Sequence, residues 1–488
     1  MSTIDALYLD KQDVLWIGST SDGIGRLSLR DGDFLYLSEM YPHASGLGSN
    51  TIRDIYEDQS GLIWFATKFA GLHLYDRRQD QFEHYMKAEG SFPGLNSGFV
   101  MSMCQDINGV IWIGTKDGGI NRWDRETGSF KPYHYLRMMD GQKMSHRIHY
   151  LLPYKGKGFF VGTDNEIEWY EPYTGKVELL KNKVVVYVMM LDSSQRLWVG
   201  TSKGIFLFDA DTRREISLQS PLSMEVLNRE MVVQCLLEDY LHRVWIGTRS
   251  NGLWLFDVPN DSLHRYFSSK NDSCSLGGDM IRSIYEDTRG NVWIGMKATG
   301  LNRFDEARNC FVRISAQNAL MGKTIYNIME DRRGHLWMGT HDDIVQYDPQ
   351  MDLAESYNLD YGLQGKVYEG GAYLKTADGA MLLGGQNGFN LFYPEKVQRV
   401  HYVAPMVLVK FKVFDEVRLR DVTQHQTVRL DRHDNYVSFE FALLDYIAPL
   451  QNQYAYQLEG IDNDWIYCGN RNYVSYTNIP PGTYRFKV

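Results

Sequence analysis

The amino-acid sequence predicts an all-β protein: a β-propeller of four-stranded blades, with a seven-bladed ring plus two extra blades, followed by a partial immunoglobulin-like β-sandwich. Three observations support this prediction. A phrase centred on Trp recurs at a nearly constant interval, short strand-like runs surround each copy, and a different alternating pattern begins after Pro394. Repeats of roughly 40 to 50 residues that each supply several short strands are typical of propeller blades.

The repeated phrase is an aliphatic residue, Trp, a second apolar residue and a small residue, as in Val292-Trp293-Ile294-Gly295. The intervals between successive anchors range from 38 residues (198 − 160) to 48 residues (64 − 16). Nine copies at this spacing indicate nine structural repeats. The anchors are Trp16, Trp64, Trp112, Phe160, Trp198, Trp245, Trp293, Trp337 and Leu382, of which Phe160 and Leu382 mark altered copies.

Each repeat has the pattern of four short strands. In the repeat around Trp293, runs rich in Val, Ile, Tyr and Phe occupy residues 281–287, 292–295, 300–305 and 311–314. Asp, Gly, Asn or Ser bound these runs, and such residues favour turns. No segment keeps the apolar period of a helix. Because a blade packs both faces against its neighbours, we expect the Trp row to lie between blades and not to form a stacking surface for sugars.

The composition argues against two classes of partner. The formal net charge is −10, and no cluster of Lys and Arg offers the basic face that nucleic-acid phosphates require. The same acidity would repel an anionic membrane surface. No apolar run of about 18 residues predicts a transmembrane helix, and no signal peptide precedes the first predicted blade, which begins at Ile4. We therefore expect either a fragment or a chain that stays where it is made.

The repeat resembles the two-component regulator propeller repeat, which occurs in the periplasmic sensor regions of bacterial hybrid histidine kinases. The resemblance rests on Asp-x-x-Gly-x-Leu/Ile-Trp-Ile-Gly-Thr-x-x-Gly-Leu-x-x-aromatic-Asp, present nearly whole at residues 58–76, 106–124 and 331–348. Members of that family carry fourteen repeats in two seven-bladed rings. The resemblance thus implies two blades of a first propeller at residues 1–95 and a complete ring at 96–397. A single nine-bladed ring is the alternative.

The segment after Pro394 predicts a different domain. Alternating apolar and polar residues in five runs indicate half-buried antiparallel strands of a small sandwich. The segment resembles the three-tyrosine domain that follows these propellers, and we assign it residues 398–488, with the last strand of the domain missing. The motif positions are occupied by Tyr456-Gln-Leu-Glu-Gly460, Asp464-Trp465, Tyr476-Thr-Asn478 and Pro480-Pro-Gly-Thr-Tyr484.

Few residues in the sequence have a spacing that would indicate a catalytic or metal-binding site. An Asp stands six residues before each Trp anchor, and a ring of such carboxylates could hold a metal; however, each begins a tight turn, where Asp caps its own backbone. Five cysteines without a C-x-x-C pair predict neither a disulfide framework nor a zinc site, and Cys104 and Cys235 are expected as buried thiols. The His spacing matches no metal motif. We predict no catalytic residue, metal or cofactor.

The candidate site is the mouth of the central channel, which the innermost strands approach eleven residues before each anchor. A purely structural position would repeat one apolar type, whereas these residues differ, as one asymmetric ligand requires. A solvated channel mouth without a ligand is the alternative. The nine positions are Asp5, Arg53, Met101, His149, Tyr187, Gln234, Arg282, Tyr326 and Gly371. The predicted ligand-binding residues are Arg147, His149, Tyr187, Gln234, Arg282, Tyr326, Asn327 and Lys366.

The family resemblance implies a periplasmic sensor region that binds a glycan-derived oligosaccharide and controls polysaccharide-utilisation genes, with a homodimer in the full-length protein. Arg282 and Arg147 could pair with a uronate or sulfate, and Tyr187 or Tyr326 could stack on a sugar face. The kinase itself is absent, so we expect no enzymatic activity. A propeller scaffold for another protein is the main alternative; a propeller glycosidase or lyase is the second. The sequence does not identify the glycan.

Overall fold

The computed structural model describes most of the chain and divides it into two compact units, Met1–Arg78 with Arg399–Val488, and Gln79–Gln398. The described residues are 3–30, 32–37, 47–88, 94–133, 136–139, 142–145, 147–217, 231–258, 260–316, 319–398, 404–414, 416–422, 426–446, 449 and 452–488.

The first unit begins with two propeller blades, each a set of antiparallel strands paired in sequence order. A short 3₁₀ helix, Arg77–Gln81, follows them. The strands are β1 (Ile4–Leu9), β2 (Val14–Ser19), β3 (Ile24–Ser28) and β4 (Phe34–Leu37) in the first blade, and β5 (Ile52–Glu57), β6 (Ile63–Thr67) and β7 (Leu72–Tyr75) in the second.

The second unit contains seven blades, which we call ring blades 1 to 7. A hairpin separates ring blades 1 and 2, and a 3₁₀ helix, Leu359–Tyr361, precedes ring blade 7. The strands are β8 (Glu83–Tyr85); β9 (Val100–Gln105), β10 (Ile111–Thr115), β11 (Ile120–Asp124) and β12 (Ser129–Tyr133) in ring blade 1; the hairpin β13 (Leu136–Met139) and β14 (Gln142–Ser145); β15 (Ile148–Tyr154), β16 (Gly158–Thr163), β17 (Glu166–Glu171) and β18 (Lys176–Asn182) in ring blade 2; β19 (Val186–Leu191), β20 (Arg196–Thr201) and β21 (Gly204–Asp209) in ring blade 3; β22 (Val233–Glu238), β23 (Arg243–Thr248), β24 (Leu253–Asp257) and β25 (Ser262–Tyr266) in ring blade 4; β26 (Ile281–Glu286), β27 (Val292–Met296), β28 (Gly300–Asp305) and β29 (Cys310–Ile314) in ring blade 5; β30 (Ile325–Glu330), β31 (Leu336–Thr340), β32 (Ile344–Asp348) and β33 (Leu353–Tyr357) in ring blade 6; and β34 (Tyr368–Lys375), β35 (Met381–Gly385) and β36 (Gly388–Phe392) in ring blade 7.

Two pairings close the ring. The innermost strands of ring blades 1 and 7 meet where Gly371 of β34 pairs in parallel with Ser102 of β9. The outer strand of ring blade 7 comes from the beginning of the unit, because β8 pairs antiparallel with β36. The all-β fold with seven ring blades and two extra blades is thus confirmed, and the nine-bladed alternative is wrong. The boundary predicted between residues 95 and 96 falls inside the second unit, because β8 completes its last blade.

The Asp and Trp of each regular repeat form a hydrogen-bonded pair. In ring blade 4, Asp239 Oδ1 accepts the backbone N–H groups of Leu241 and Arg243, as the turn interpretation predicts. Its other oxygen, Oδ2, accepts the indole N–H of Trp245 at 2.8 Å. One carboxylate therefore caps a turn and orients the Trp six residues later. The same Asp–Trp bond joins Asp10 to Trp16, Asp58 to Trp64, Asp106 to Trp112, Asp192 to Trp198, Asp287 to Trp293, and Asp331 to Trp337.

The anchors lie between blades, as predicted. Trp245 is fully buried and packs against Ile284, Ile294 and Phe304 of the next blade. The Gly of the motif is required by the same contact, because a Cβ on Gly247 would lie 2.7 Å from Ile281 Cγ2. Close approach of neighbouring blades thus explains why the Trp phrase ends in a small residue. The altered anchors Phe160 and Leu382 are likewise fully buried.

A repeated hydrogen bond to a Glu carboxylate, which we call the carboxylate clamp, links neighbouring blades at the C-terminal end of their innermost strands. The Glu that ends such a strand accepts the backbone N–H of the residue after the capping Asp in the preceding blade. Where it occurs, the clamp fixes the position of one blade relative to its neighbour. The pairs are Lys11 and Glu57 at 3.0 Å, Ser193 and Glu238 at 2.6 Å, Tyr240 and Glu286 at 3.1 Å, and Thr288 and Glu330 at 2.8 Å.

We predict that Glu330→Gln destabilises the protein by about 1–2 kcal/mol, because buried Glu330 accepts both the backbone N–H and the hydroxyl of Thr288, each at 2.8 Å. A double-mutant cycle with Thr288→Val, followed by chemical denaturation, measures the coupling. We expect a coupling energy of roughly 0.5 kcal/mol or more. Strictly additive losses would show that the bond between the Thr288 hydroxyl and Glu330 does not contribute to stability.

The sandwich packs a four-stranded sheet against a three-stranded sheet. Phe439 and Phe486 stack in its core with ring centroids 3.9 Å apart. Within this unit, Tyr446 contacts Trp64 of the second blade at a centroid distance of 5.7 Å. The strands are β37 (Met406–Val413), β38 (Glu416–Val422), β39 (Tyr436–Leu443), β40 (Tyr454–Glu459), β41 (Ile466–Gly469), β42 (Tyr473–Thr477) and β43 (Arg485–Lys487), arranged as β38-β37-β39-β42 and β41-β40-β43.

One prediction on the cysteines is wrong. Cys274 and Cys310 form a disulfide with a Cα–Cα distance of 4.7 Å, which connects the segment before ring blade 5 to the first residue of β29. Cys274 and Cys310 are 36 positions apart, a spacing that matches no sequence motif. The packing of β29 brings the two residues together. Cys104 and Cys235 are free and buried on innermost strands, as predicted.

Across the described ranges, no helix has the length and apolar character needed to cross a bilayer. Over the same residues, His, Cys, Asp and Glu side chains form no cluster that could hold a metal ion.

Candidate functional site

The innermost strands of ring blades 1 to 6 each carry a β-bulge near the start. In ring blade 5, Ile281 pairs with Met296 and Ser283 pairs with Gly295, so Arg282 between them has no partner in the ladder. A bulge leaves one residue unpaired and redirects its side chain. The residues left without a ladder partner at these bulges are those that lie eleven positions before the anchor in the sequence: Met101, His149, Tyr187, Gln234, Arg282 and Tyr326.

Ring blade 7 departs from the predicted position. A Cβ on Gly339 of ring blade 6 would lie 3.1 Å from Tyr368, just as a Cβ on Gly295 would lie 2.8 Å from Ile325. Tyr368 therefore replaces the β-branched residue that precedes each bulge, and Glu369 follows it. The register of β34 is irregular from Tyr368 to Tyr373, a longer insertion than in the other blades. Counted from Tyr368 the equivalent residue is Glu369, and counted back from Tyr373 it is Gly371. We call Glu369 with the six bulge residues the inner set.

Contacts connect members of the inner set. Arg282 donates from Nη1 to Gln234 Oε1 at 2.8 Å, and its guanidinium lies 5.9 Å from the ring centroid of Tyr326. The rings of His149 and Tyr187 meet edge to face at 6.0 Å. These residues come from five successive ring blades, so the ring brings together side chains that are far apart in sequence.

Arg147, His149 and Asp164 form a second group in ring blade 2. His149 Nε2 hydrogen-bonds the Asp164 carboxylate, and Arg147 Nη1 lies 3.8 Å from the same oxygen. Burial lowers the pKa of His149 below its ordinary value, and the neighbouring positive charge of Arg147 acts in the same direction; Asp164 opposes both. A neutral imidazole held by a carboxylate presents a fixed edge to a ligand.

A further set of residues, which the sequence analysis missed, lies beside the inner set. In five ring blades, the residue four positions after an anchor donates its backbone N–H to the carbonyl two residues before the inner-set member of the same blade. Lys297 N bonds Met280 O at 3.0 Å, and Arg249 N bonds Val232 O at 2.9 Å. The outer set consists of Lys116, Asp164, Ser202, Arg249, Lys297, His341 and Gln386, and its constant offset from the anchors is the signal that could have found it.

The outer set adds positive charge. Arg249 lies over the ring of Tyr187, with the guanidinium carbon 5.8 Å from the centroid. Taking Lys116, Arg147, Arg249, Arg282 and Lys297 as positive, and Asp164 and Glu369 as negative, the two sets with Arg147 carry +5 − 2 = +3. The whole sequence carries −10, so the remainder carries −13. The mouth is thus a positive region on an acidic protein.

Glu369 lies within electrostatic range of three of these cations. Burial raises the pKa of Glu369 above its ordinary value, while the positive charges of Arg282, Arg147 and Lys116 act in the opposite direction. Arg282 lies in ring blade 5, Arg147 directly precedes ring blade 2, and Lys116 follows β10 in ring blade 1. Glu369 is therefore subject to positive charge from three different parts of the ring.

Two buried donors at the mouth lack hydrogen-bond partners within the described part of the chain. Gln234 uses Oε1 for Arg282, which leaves Nε2 without an acceptor. Arg147 Nε is also buried without an acceptor. Buried donors usually have partners, and an unsatisfied one indicates strain or a ligand position.

Two of the predicted residues differ from the others in burial. Asn327 is fully buried, where its side chain accepts the N–H of Gly339 at 2.9 Å and donates to Glu369 O at 3.3 Å. It therefore supports Glu369 and cannot line the surface of the mouth. Lys366 is exposed in the segment before β34. Asp5 and Arg53 belong to the other unit, where they form an ion pair at 2.7 Å.

Comparisons with known proteins confirm the resemblance. Residues 46–69, 94–117, 275–298 and 319–342 match the Two component regulator propeller repeat, and residues 445–488 match the Y_Y_Y domain. The chain carries the sequence repeats of two-component regulators. In the sandwich, the motif residues Tyr476 and Tyr484 donate hydrogen bonds to Asp462 Oδ2 and Pro480 O at 2.6 and 2.8 Å.

Known proteins also share the fold. The extracellular domain assigned to the hybrid two component system BT3049 of B. thetaiotaomicron is 24% identical, with a TM-score of 0.75 over 99% of this chain and 64% of that one. The corresponding domain of BT4673 is 19% identical, with a TM-score of 0.52 over 99% and 66%. Histidine kinase P4 of Formosa agariphila is 25% identical over 154 residues, which are 30% of this chain and 11% of that protein. The two solved domains thus share the fold of this chain, which spans less than two thirds of the first of them and about a tenth of the histidine kinase.

Proposed function

We propose that this chain is the ligand-sensing, periplasmic region of a hybrid two-component histidine kinase and that it binds an acidic, glycan-derived oligosaccharide at the mouth of the ring. The observation that carries the proposal is a pair of unsatisfied buried donors, Gln234 Nε2 beside Arg282 and Arg147 Nε beside Asp164. A ligand oxygen at this position would satisfy groups whose burial is otherwise unfavourable.

The charge of the mouth supports an anionic ligand. Arg282, Arg147 and Lys116 all act electrostatically on Glu369, and Asp164 beside Arg147 is the other carboxylate of the mouth. Cations brought together in this way repel one another, and an anion relieves that repulsion. Guanidinium groups bind carboxylate and sulfate through parallel, charge-assisted hydrogen bonds.

The aromatic rings support a sugar. Tyr326 and Tyr187 are half-buried, so part of each ring is accessible at the mouth. Arg282 already lies near the face of Tyr326. A planar ring beside a fixed cation offers an apolar surface for the C–H face of a sugar and a partner for its acid group.

A sensor must also couple binding to a change between two arrangements, because a ligand shifts an equilibrium only by its differential affinity. We propose that the full-length protein is a homodimer, that the sandwich transmits the change toward the kinase, and that the response controls polysaccharide-utilisation genes. X-ray scattering with and without saturating ligand measures the change in shape, and identical profiles would count against this route.

We predict that Arg282→Ala weakens an acidic oligosaccharide by about 1.5–3 kcal/mol, or roughly 10- to 150-fold, the magnitude of a lost charged hydrogen bond. A glycan array with the purified chain selects the oligosaccharide, and titration calorimetry measures the dissociation constant. Folding should be unaffected, because Arg282 lies outside the strand ladder.

The matched control is Arg308→Ala, which removes the same charge from an exposed turn between β28 and β29. This variant should bind as the wild type does. Equal affinities of Arg282→Ala and the wild type would remove Arg282 from the site. Binding that survives changes at His149, Tyr187 and Tyr326 as well would place recognition away from the mouth.

A further inference from the structure

We infer that Glu369 determines specificity at the mouth and makes it select a hydroxylated acid, such as an oligouronide, over a plain polyanion. This inference rests on the proposed function and names the ligand class of the same site. Sequence repeats alone place Gly371 at this position, whereas the longer bulge in the structure also includes Glu369, directly after Tyr368.

The backbone holds Glu369 at the mouth. Asn327 Nδ2 donates to its carbonyl oxygen at 3.3 Å from within ring blade 6. The next two residues are glycines that pass close to other inner-set backbones: a Cβ on Gly371 would lie 2.9 Å from Met101 O and 3.2 Å from His149 O. The bulge of β34 thus contacts ring blades 1, 2 and 6, and its glycines permit the approach.

The surrounding charges determine what Glu369 does. Arg282, Arg147 and Lys116 all act on its carboxylate. Without Glu369, Asp164 beside Arg147 would be the one carboxylate left among the five cations of the inner and outer sets taken with Arg147, an arrangement that favours small polyanions. With it, a ligand that offers only negative charge meets a second repelling carboxylate at the mouth.

Sugar hydroxyl groups, in contrast, can be bound by the Glu369 carboxylate that repels a plain anion. A carboxylate is an acceptor-only group, and two hydroxyl groups on adjacent sugar carbons can donate to its two oxygens. Gln234 Nε2 supplies a donor for a hydroxyl or ring oxygen, and Arg282 supplies the partner for an acid group. One residue of a uronic acid carries all of these groups: a carboxylate, several hydroxyls and an apolar C–H face.

The test is titration calorimetry of the intact chain at pH 7 with three probes: trigalacturonate, the neutral galactose trisaccharide and inorganic tripolyphosphate. The wild type should bind trigalacturonate most tightly. Glu369→Gln should weaken trigalacturonate by about tenfold, because a charged acceptor for its hydroxyls is lost. The same variant should strengthen tripolyphosphate, because the repelling charge is gone. Circular dichroism checks that the variant folds.

The control is Glu126→Gln, which removes one carboxylate from an exposed turn between β11 and β12 and should leave the three affinities unchanged. If Glu369→Gln changes the affinities for both anions in the same direction, or changes neither, the inference is overturned. If Arg282→Ala weakens trigalacturonate under the same conditions, the proposed function still stands. A wild-type chain that prefers tripolyphosphate overturns the inference alone, and one that binds none of the probes overturns both.

Discussion

Trp245→Ala should lower the free energy of unfolding by about 3–5 kcal/mol, the expected loss for a fully buried Trp that leaves a cavity. Trp245 has no exposed surface and packs edge to face on Phe304 at a centroid distance of 5.1 Å. The substitution removes contacts with the next blade and also the indole N–H donor to Asp239. Chemical denaturation measures the loss.

Two variants separate the causes of this effect. Trp245→Phe keeps most of the apolar contact but loses the hydrogen bond to Asp239, so it should cost much less than the alanine variant. Trp465→Ala removes a Trp that is 45% exposed on the sandwich and should change stability by less than about 1 kcal/mol. If Trp245→Ala also costs less than about 1 kcal/mol, the row of Trp anchors does not hold the blades together.

The repeat made most of the ring predictable, since the same local chemistry recurs in each blade. Asp239 and Trp245, six residues apart, form a bond that depends only on local spacing. The position of Arg282 was predictable for the same reason, because the bulges of ring blades 1 to 6 lie at one offset from their anchors. Such features need no knowledge of how distant segments meet.

Features that depend on distant segments were not predictable. Strand β8 pairs with β36 from the far end of the unit, and no local pattern distinguishes it from a strand of the second blade. The Cys274–Cys310 disulfide depends on the path of a loop. Glu369 was missed because the last repeat contains a longer insertion, which shifts the offset that holds elsewhere.

The second large effect concerns pH and a carboxylate outside the mouth. Glu168 lies in β17 of ring blade 2 without exposed surface, and burial raises its pKa to about 7. An ordinary Glu in the unfolded chain titrates near pH 4.5. Between these values the folded protein holds a proton that the unfolded chain has lost, so stability falls as pH rises. Above pH 7 the folded state must ionise Glu168 in its buried position.

We therefore predict that Glu168→Gln, which cannot ionise, gains stability relative to the wild type as pH rises from 4.5 to 8. The difference should change by about 3 kcal/mol, since one pKa unit corresponds to roughly 1.4 kcal/mol and the shift spans 4.5 to about 7. Denaturant unfolding at closely spaced pH values measures the difference. Glu126→Gln, from the exposed turn, should follow the wild type throughout. Parallel curves for Glu168→Gln and the wild type would show that Glu168 ionises as readily in the folded ring as in the unfolded chain, and that its burial has no cost at neutral pH.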